Sequence, residues 1–241
     1  MKNIFAVFFI LSAFSLTAQT VTPGDKAIDA KWIIKESYRS KWFVIRDTLS
    51  HEIAEITTDV TPANDRLTII TEYKVKGAKD KWLDTTIVSL PSLVPIHHST
   101  TNQERDMVLD FGKDIKGYYY DKMTRKVTDI EQPVREPFFF SGFYPYLIRL
   151  LPLKEGYTAE LPLFDYKPAK NGVIKASIQE VKSGTFRTKK NGVADVWLVT
   201  VTEEVGGFRN TITYYIGKKD RVLWRQDIST AMQKLLIKRM E

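Results

Sequence analysis

The sequence contains no cysteine. That excludes a disulfide scaffold, a thiol nucleophile, a cysteine-ligated metal and lipid attachment through an N-terminal cysteine. Histidine is nearly as scarce, with three in 241 residues: His51, His97 and His98. His51-Glu52 is followed by Ile53-Ala54-Glu55, with no second histidine at the fifth position, so the zinc-protease helix is missing. His97 and His98 are adjacent, and on a strand they point to opposite faces and cannot share one ion. They are expected to be isolated and exposed. The chain also lacks a phosphate-binding loop ending in Gly-Lys-Ser/Thr, a Gly-x-Gly-x-x-Gly turn and a Gly-x-Ser-x-Gly elbow. Acidic pairs occur, such as Glu203-Glu204 and Asp110 with Asp114, and are expected on solvated loops. These gaps predict a protein that is not an enzyme, with no catalytic residue, metal or cofactor.

Long hydrophobic runs are missing as well, apart from one at the start. Ile4 to Leu16 is apolar, preceded by Lys2 and followed by Thr17, Ala18 and Gln19. The run is shorter than the about 20 apolar residues that span a bilayer. It has the layout of a secretory signal peptide, whose apolar stretch is roughly 7–15 residues. A signal peptide over residues 1–19 and a single exported domain over residues 20–241 are predicted. Cleavage after Ala18 places bulky Leu16 where a small residue is preferred, and cleavage after Gln19 leaves Gln at the last position. The destination is the periplasm or the exterior. With no second run of membrane length, a soluble monomer with no stable membrane span is expected.

What is present is ordinary for a globular protein: 43% hydrophobic and 27% charged residues, 12 Gly and 10 Pro. A collagen, a coiled coil and a disordered polyelectrolyte are excluded. The net charge of +7 is diffuse. Lys113, Lys116, Lys122, Arg125 and Lys126 surround Tyr118-Tyr119-Tyr120, but Asp114, Asp121 and Asp129 lie among them. Basic residues interleaved with aromatics can bind nucleic acid. The interspersed acids and the export signal predict no nucleic-acid partner, and solvated strand faces instead.

Alternation dominates the pattern. Leu67, Ile69, Thr71, Tyr73 and Val75 alternate with polar residues, as on a strand with one buried face. Ile174, Ala176 and Ile178 repeat the pattern, as do Ile212, Tyr214 and Ile216. In Val193 to Val201, Trp197, Val199 and Val201 take one face and Val196 and Leu198 the other, which suits a strand covered on both sides. Asn171-Gly172, Asn191-Gly192 and Gly206-Gly207 supply turns, and Lys76 to Asp80 a longer hairpin loop. Roughly ten strands in an antiparallel meander are predicted.

One segment breaks this rhythm. Phe138 to Leu151 is apolar nearly all round, with Ser141 able to cap a helix, Pro145 tolerated in its first turn and Pro152 ending it. Such a helix must be buried, and a buried β segment is the alternative. Ala27 to Tyr38 is ambiguous between a short helix and a strand. The five tryptophans, Trp32, Trp42, Trp82, Trp197 and Trp224, are spread along the chain and suit either core packing or the lining of an apolar cavity.

Phe143-Tyr144-Pro145-Tyr146-Leu147-Ile148-Arg149-Leu150-Leu151-Pro152-Leu153-Lys154-Glu155-Gly156 is followed by Leu161-Pro162-Leu163-Phe164-Asp165. This resembles an exported domain of unknown function, numbered 3108, whose members carry a short apolar helix, a PL-K-G step and an LP-(V/L)-(F/Y)-D step. Gly184, Trp197, Trp224 and Asp227 match its later features, and the resemblance covers roughly Ser89 to Glu241. The family is similar to the lipoprotein carriers LolA and LolB, which implies a mainly β (α+β) fold: an antiparallel half-barrel curled over a short buried apolar helix. It implies no catalytic residues. The expected function is a soluble binding or carrier protein for an apolar ligand, an acyl chain or a lipidated envelope protein. The candidate lining is Trp82, Phe140, Phe143, Tyr146, Leu147, Leu150, Trp197 and Tyr214. A structural or assembly factor of the cell envelope is the alternative.

Overall fold

The computed structural model describes residues 19–169, 171–189 and 192–241. The run Ile4 to Leu16 and the cleavage position at Ala18 lie outside the described residues, and of the Asn191-Gly192 turn only Gly192 is described. Among the described residues, sixteen strands form one sheet. The first half holds β1 (Gln19–Thr20), β2 (Glu36–Arg46), β3 (Leu49–Ala63), β4 (Arg66–Val75), β5 (Trp82–Ser89), β6 (Pro95–Thr101), β7 (Arg105–Phe111), β8 (Asp114–Asp121) and β9 (Lys126–Pro133). The second holds β10 (Phe139–Phe140), β11 (Ala159–Asp165), β12 (Gly172–Arg187), β13 (Val193–Glu203), β14 (Asn210–Gly217), β15 (Leu223–Ser229) and β16 (Lys234–Arg239). Sixteen exceeds the roughly ten that apolar alternation predicts. The two-residue strands β1 and β10 are too short to show a period. Strands β5 and β6 turn Asp84, Thr86, His98 and Thr100 inward, so their buried faces read as polar.

The sheet is two antiparallel meanders, β2 to β9 and β11 to β16, joined by antiparallel pairing of β16 with β2. Tight turns between neighbours follow from residues that tolerate positive φ, such as Asn64 at 53° between β3 and β4. Gly117 in β8 serves a different need. A Cβ there would lie 1.9 Å from the carbonyl oxygen of Val108, so only glycine lets β8 come this close to β7. The sheet curls until its two ends meet along a seam. On the β11 side, β1 and β10 both pair parallel with β11. On the β9 side, Gln132 donates from Nε2 to Asn171 Oδ1 at 2.6 Å, and the Tyr119 and Tyr166 rings lie 6.1 Å apart.

The segment from Phe138 to Leu153 runs through the interior as a plug. It is helical for less of its length than predicted. After β10 comes a single α turn, α1 (Tyr144–Leu147), continued by a 3₁₀ turn over Ile148–Leu150. Pro145 sits in the first turn as expected, but Ser141 is not the cap. Its hydroxyl donates to Asp165 Oδ1 at 2.8 Å, and Phe143 takes the N-cap position with no side-chain bond. Both readings of the segment therefore hold in part, because its first two phenylalanines extend the sheet and the rest coils. Phe139, Phe143, Leu147, Ile148, Leu150 and Leu151 are all fully buried. They pack on the inward residues of β11 to β14, including Leu161, Leu163, Val199, Val201, Tyr214 and Ile216. Burying this apolar surface at about 25 cal/mol per Å² is the main force closing the sheet on the plug.

The ambiguous start resolves as a 3₁₀ turn over Ala30–Trp32, with Asp29 accepting from the Lys31 N–H, and strand β2 begins only at Glu36. In β13, Val199 and Val201 face the core, and Val196 on the opposite face is also fully buried. That second covering is local, since Leu198 and Thr200 on the same outer face are only half-buried.

Candidate functional site

Inward packing is uneven around the sheet. The wall of β11 to β14 is sealed by the plug, whereas the inward aromatics of β2, β4 and β5 remain half-buried. Strand register explains which residues these are. Tyr38 pairs with Thr58, Trp42 with Ala54, and Tyr73 with both Ile56 and Trp82, so Tyr38, Trp42, Tyr73 and Trp82 share the inner face with the buried residues Ala54, Ile56 and Thr58.

Between this wall and the plug lies a cavity of about 150 Å³, open on one side. Ile56, Ile69, Leu223 and Ile237 give it apolar walls, and Gly142, Pro145 and Tyr146 of the plug form its floor. Tyr38, Thr58, Thr71, Tyr73, Arg149 and Arg239 give it a polar portion. The charged part is ordered. Arg149 donates from Nε to the Arg221 carbonyl at 2.6 Å and from Nη1 to Glu36 Oε1, while Arg239 donates from Nη1 to Glu36 Oε2 at 3.2 Å. The Arg149 guanidinium also lies 4.8 Å over the Tyr146 ring. Arg149 is the one charge inside a segment that reads as apolar. A buried guanidinium needs such partners, because an unpaired buried charge is very costly. Burial, the largest effect, pushes the Tyr146 hydroxyl up to about 12, so it stays a neutral donor.

Of the eight residues predicted to line a cavity, the structure brings only Tyr146 to this one. Phe143, Leu147, Leu150 and Tyr214 lie within the packed core, fully buried. Phe140 is buried against His98, with ring centroids 4.3 Å apart. Trp197 is inward-facing but lies at the far wall, where Lys218 Nζ covers its ring at 4.1 Å. Trp82 lines a different space, a groove of about 290 Å³ at the rim. Sequence reasoning missed Arg149, Glu36, Tyr38 and Tyr73. Tyr73 was legible as an inward strand residue, but nothing local signals that Glu36 and Arg149, far apart in the chain, would meet.

The histidines depart from expectation in part. His51 is exposed, and His97 lies on the outer face, with Nδ1 2.7 Å from Asp110 Oδ1. His98, predicted exposed, is buried on the inner face, 3.0 Å from the Thr86 hydroxyl. Burial, aided by His97 and Arg105, depresses its pKa to about 3, so it is held neutral. The acidic pair at Glu203-Glu204 also departs from a solvated loop. Glu203 is buried, accepting from Asn210 Nδ2 at 2.9 Å and from the Val205 N–H. Burial raises its pKa to about 7, and the charges of Asp165 and Glu204 add to the rise. No group of three or more His, Asp or Glu among the described residues could hold a metal ion. No helix among them is long and apolar enough to cross a membrane.

Asp165 closes the Leu-Pro-Leu-Phe-Asp step. One of its oxygens accepts from Ser141 of the plug, and the other accepts from the Gly206 N–H at 2.9 Å. A single carboxylate thus ties the plug to the β13–β14 loop. This step belongs to a sequence pattern that matches residues 37–235 and whose description is "Protein of unknown function (DUF3108)". The chain belongs to this family. The match begins well upstream of Ser89, so the family pattern includes the β2–β4 wall of the cavity as well as the plug. None of the curated proteins matches the chain. Among solved structures it is similar to a beta-barrel-like protein of domain of unknown function DUF1849 from Brucella abortus. The two are 10% identical, the alignment covers 87% of this chain and 97% of the other, and the TM-score is 0.51. At that identity the likeness is one of fold, and it agrees with a curled, barrel-like sheet.

Proposed function

We propose that the protein is an exported, LolA-like binding protein of the periplasm that holds an amphiphilic ligand without catalysis. The ligand is an acyl chain, free or attached to a partner protein. Its apolar end enters the cavity between the plug and the β2–β4 wall, and its polar end stays near Arg149 and Arg239. One observation carries this reading: two inward aromatics that line the cavity, Tyr38 and Tyr73, are left half-buried on one wall of a barrel whose opposite wall is sealed. Inward aromatic surface that stays part-exposed is what a ligand would cover. A volume of about 150 Å³ accepts the end of an acyl chain and not its whole length, so the remainder would lie in the mouth against these rings. The reaction is reversible burial of apolar surface, offset by the ordering of the ligand.

The competing reading, an envelope assembly factor that lends a sheet edge to another protein, rests on β9, the last strand in the sheet order. That strand carries Lys126, Asp129, Glu131 and Pro133, the charges and proline that protect an edge from pairing. The binding reading is therefore preferred.

Native mass spectrometry of the protein recovered from its own cells tests it, together with titration of the purified chain by a dansyl-labelled undecanoate. A co-purifying lipid mass, or saturable binding weakened by Thr58→Phe, supports the reading. Ligand-free mass together with no fatty-acid binding overturns it.

A further inference from the structure

We propose that the rim groove beside Trp82 is a carbohydrate subsite that takes a single neutral pyranose ring, a site separate from the cavity and independent of the amphiphile reading. The groove, of about 290 Å³, is lined by Val75, Ala78, Trp82 and the polar side chains of Asp80, Asn102, Gln103, Glu104 and Arg105. Strand register sets its geometry. Trp82 pairs with Tyr73 on one side, and on the other its strand neighbour Leu83 pairs with Thr101, which leads directly into the turn of Asn102 to Glu104. One face of the indole is stacked on Tyr73, with centroids 4.2 Å apart and planes 24° from parallel. The other side borders the groove.

The indole is held in place before any ligand arrives. Its Nε1–H donates to Asp84 Oδ1 at 2.9 Å, and the Thr100 hydroxyl donates to the same carboxylate. Trp42 meets it edge-on at 6.1 Å. The facing turn is equally fixed, because Asn102 Oδ1 accepts from the N–H groups of Glu104 and Arg105, both at 2.9 Å. A rigid, flat apolar plate beside a fixed turn that carries polar side chains matches the two chemistries of a pyranose. Its axial C–H face packs on an aromatic ring, and its edge hydroxyls need both donors and acceptors. The Arg105 Nε–H is buried with no partner and is a donor in want of an acceptor.

Charge separates this ligand from its rivals. Asp80 and Glu104 at the rim oppose a nucleotide phosphate, while Arg105 opposes a quaternary ammonium, and only one aromatic face is offered where an ammonium cage uses several. The volume lies just below the roughly 300–1,000 Å³ of drug-sized pockets, which suits one ring.

The test uses the full chain labelled with 5-fluorotryptophan, whose five ¹⁹F resonances are assigned with Trp82→Phe. Cellohexaose, chitohexaose and mannohexaose are titrated in turn, with tetramethylammonium and adenosine monophosphate beside them. A saturable shift of the Trp82 resonance by at least one saccharide is expected, with the other four signals little changed. Arg105→Met is expected to weaken that binding about tenfold to a hundredfold, the loss of one hydrogen bond from a charged donor. No shift with any saccharide up to about 20 mM, weaker than the millimolar range, overturns the proposal. A shift produced by tetramethylammonium or the nucleotide and not by the saccharides overturns it too. A saccharide shift alongside failed fatty-acid binding leaves this site standing while removing the amphiphile reading.

Discussion

Arg149 of the plug and Glu36 of β2 form an ion pair almost sealed from solvent, with side-chain exposures of 1% and 9%. Glu36 is shared with Arg239 of β16. This trio is the polar fastening between the plug and the meander junction where β16 meets β2, and it borders the open cavity.

Removing one member of this trio leaves a buried charge without its partner, which costs about 3–5 kcal/mol. Glu36→Ala is expected to lower unfolding free energy by that amount in urea titrations. Arg149→Met combined with Glu36→Leu is expected to recover at least half of the loss, because two apolar side chains need no partners. A loss below about 1 kcal/mol for Glu36→Ala would mean that the pair does not hold the plug.

Glu203 gives stability a slope against pH. Its folded pKa, about 7, is above the ordinary 4.5. Below 4.5 the carboxyl is protonated folded or unfolded. As pH rises from there towards 7, the unfolded chain ionises first and stability is lost, by up to about 3 kcal/mol. Because His98 contributes the opposite slope over most of this window, Glu203→Gln is expected to make stability rise with pH between 4.5 and 6.5, read as the urea midpoint at closely spaced pH values. A wild-type slope unchanged in the variant would assign the titration to another group.

His98 acts with the opposite sign. Its folded pKa, about 3, is below the ordinary 6.5, so the neutral ring is the folded form. Its contribution is fully present above 6.5 and is lost as pH falls towards 3, because the unfolded chain takes up the proton. His98→Gln, which keeps a partner for the Thr86 hydroxyl, is expected to resist acid better relative to its own stability at pH 7. In the double variant with Glu203→Gln, the rise with pH that Glu203→Gln exposes between pH 4.5 and 6.5 should disappear.

The meander and the buried segment were legible because both are written in local patterns: alternation in β4, β12 and β14, and an unbroken apolar run from Phe138 to Leu151. The exact content of that run was not. Phe139 and Phe140 join the sheet only because β11 offers a free edge, a partner fixed by tertiary structure. Most of the candidate lining lies away from the open cavity for a related reason. Phe143, Leu147 and Tyr214 are apolar and inward, as a cavity wall requires, but side chains of that kind fill space when two of them face each other across a barrel. Which wall stays uncovered depends on where the plug leans. The plug is held by remote pairings on both sides, Arg149 with Glu36 of β2 and Ser141 with Asp165 of β11, which no local pattern announces. Polar inward residues such as Asp84 and His98 hid their strands for the same reason, since alternation marks burial only when the buried side is greasy.

Asp165 offers a test of how the family step works. Its two oxygens accept one bond from the plug and one from the β13–β14 loop, at 2.8 and 2.9 Å. Asparagine keeps one acceptor oxygen and presents donors on the other side, so one of the two ties must break. Asp165→Asn is expected to cost about 1–2 kcal/mol, the penalty for leaving a buried donor unsatisfied. It also removes a like charge beside Glu203, whose pKa that charge helps to raise. The pH window in which stability falls should therefore shift downwards in the variant. A stability loss without that shift would mean that Asp165 acts only as a tie. A shift without the loss would mean that the plug and the loop are held by their apolar packing, and that the aspartate's place in the motif is electrostatic.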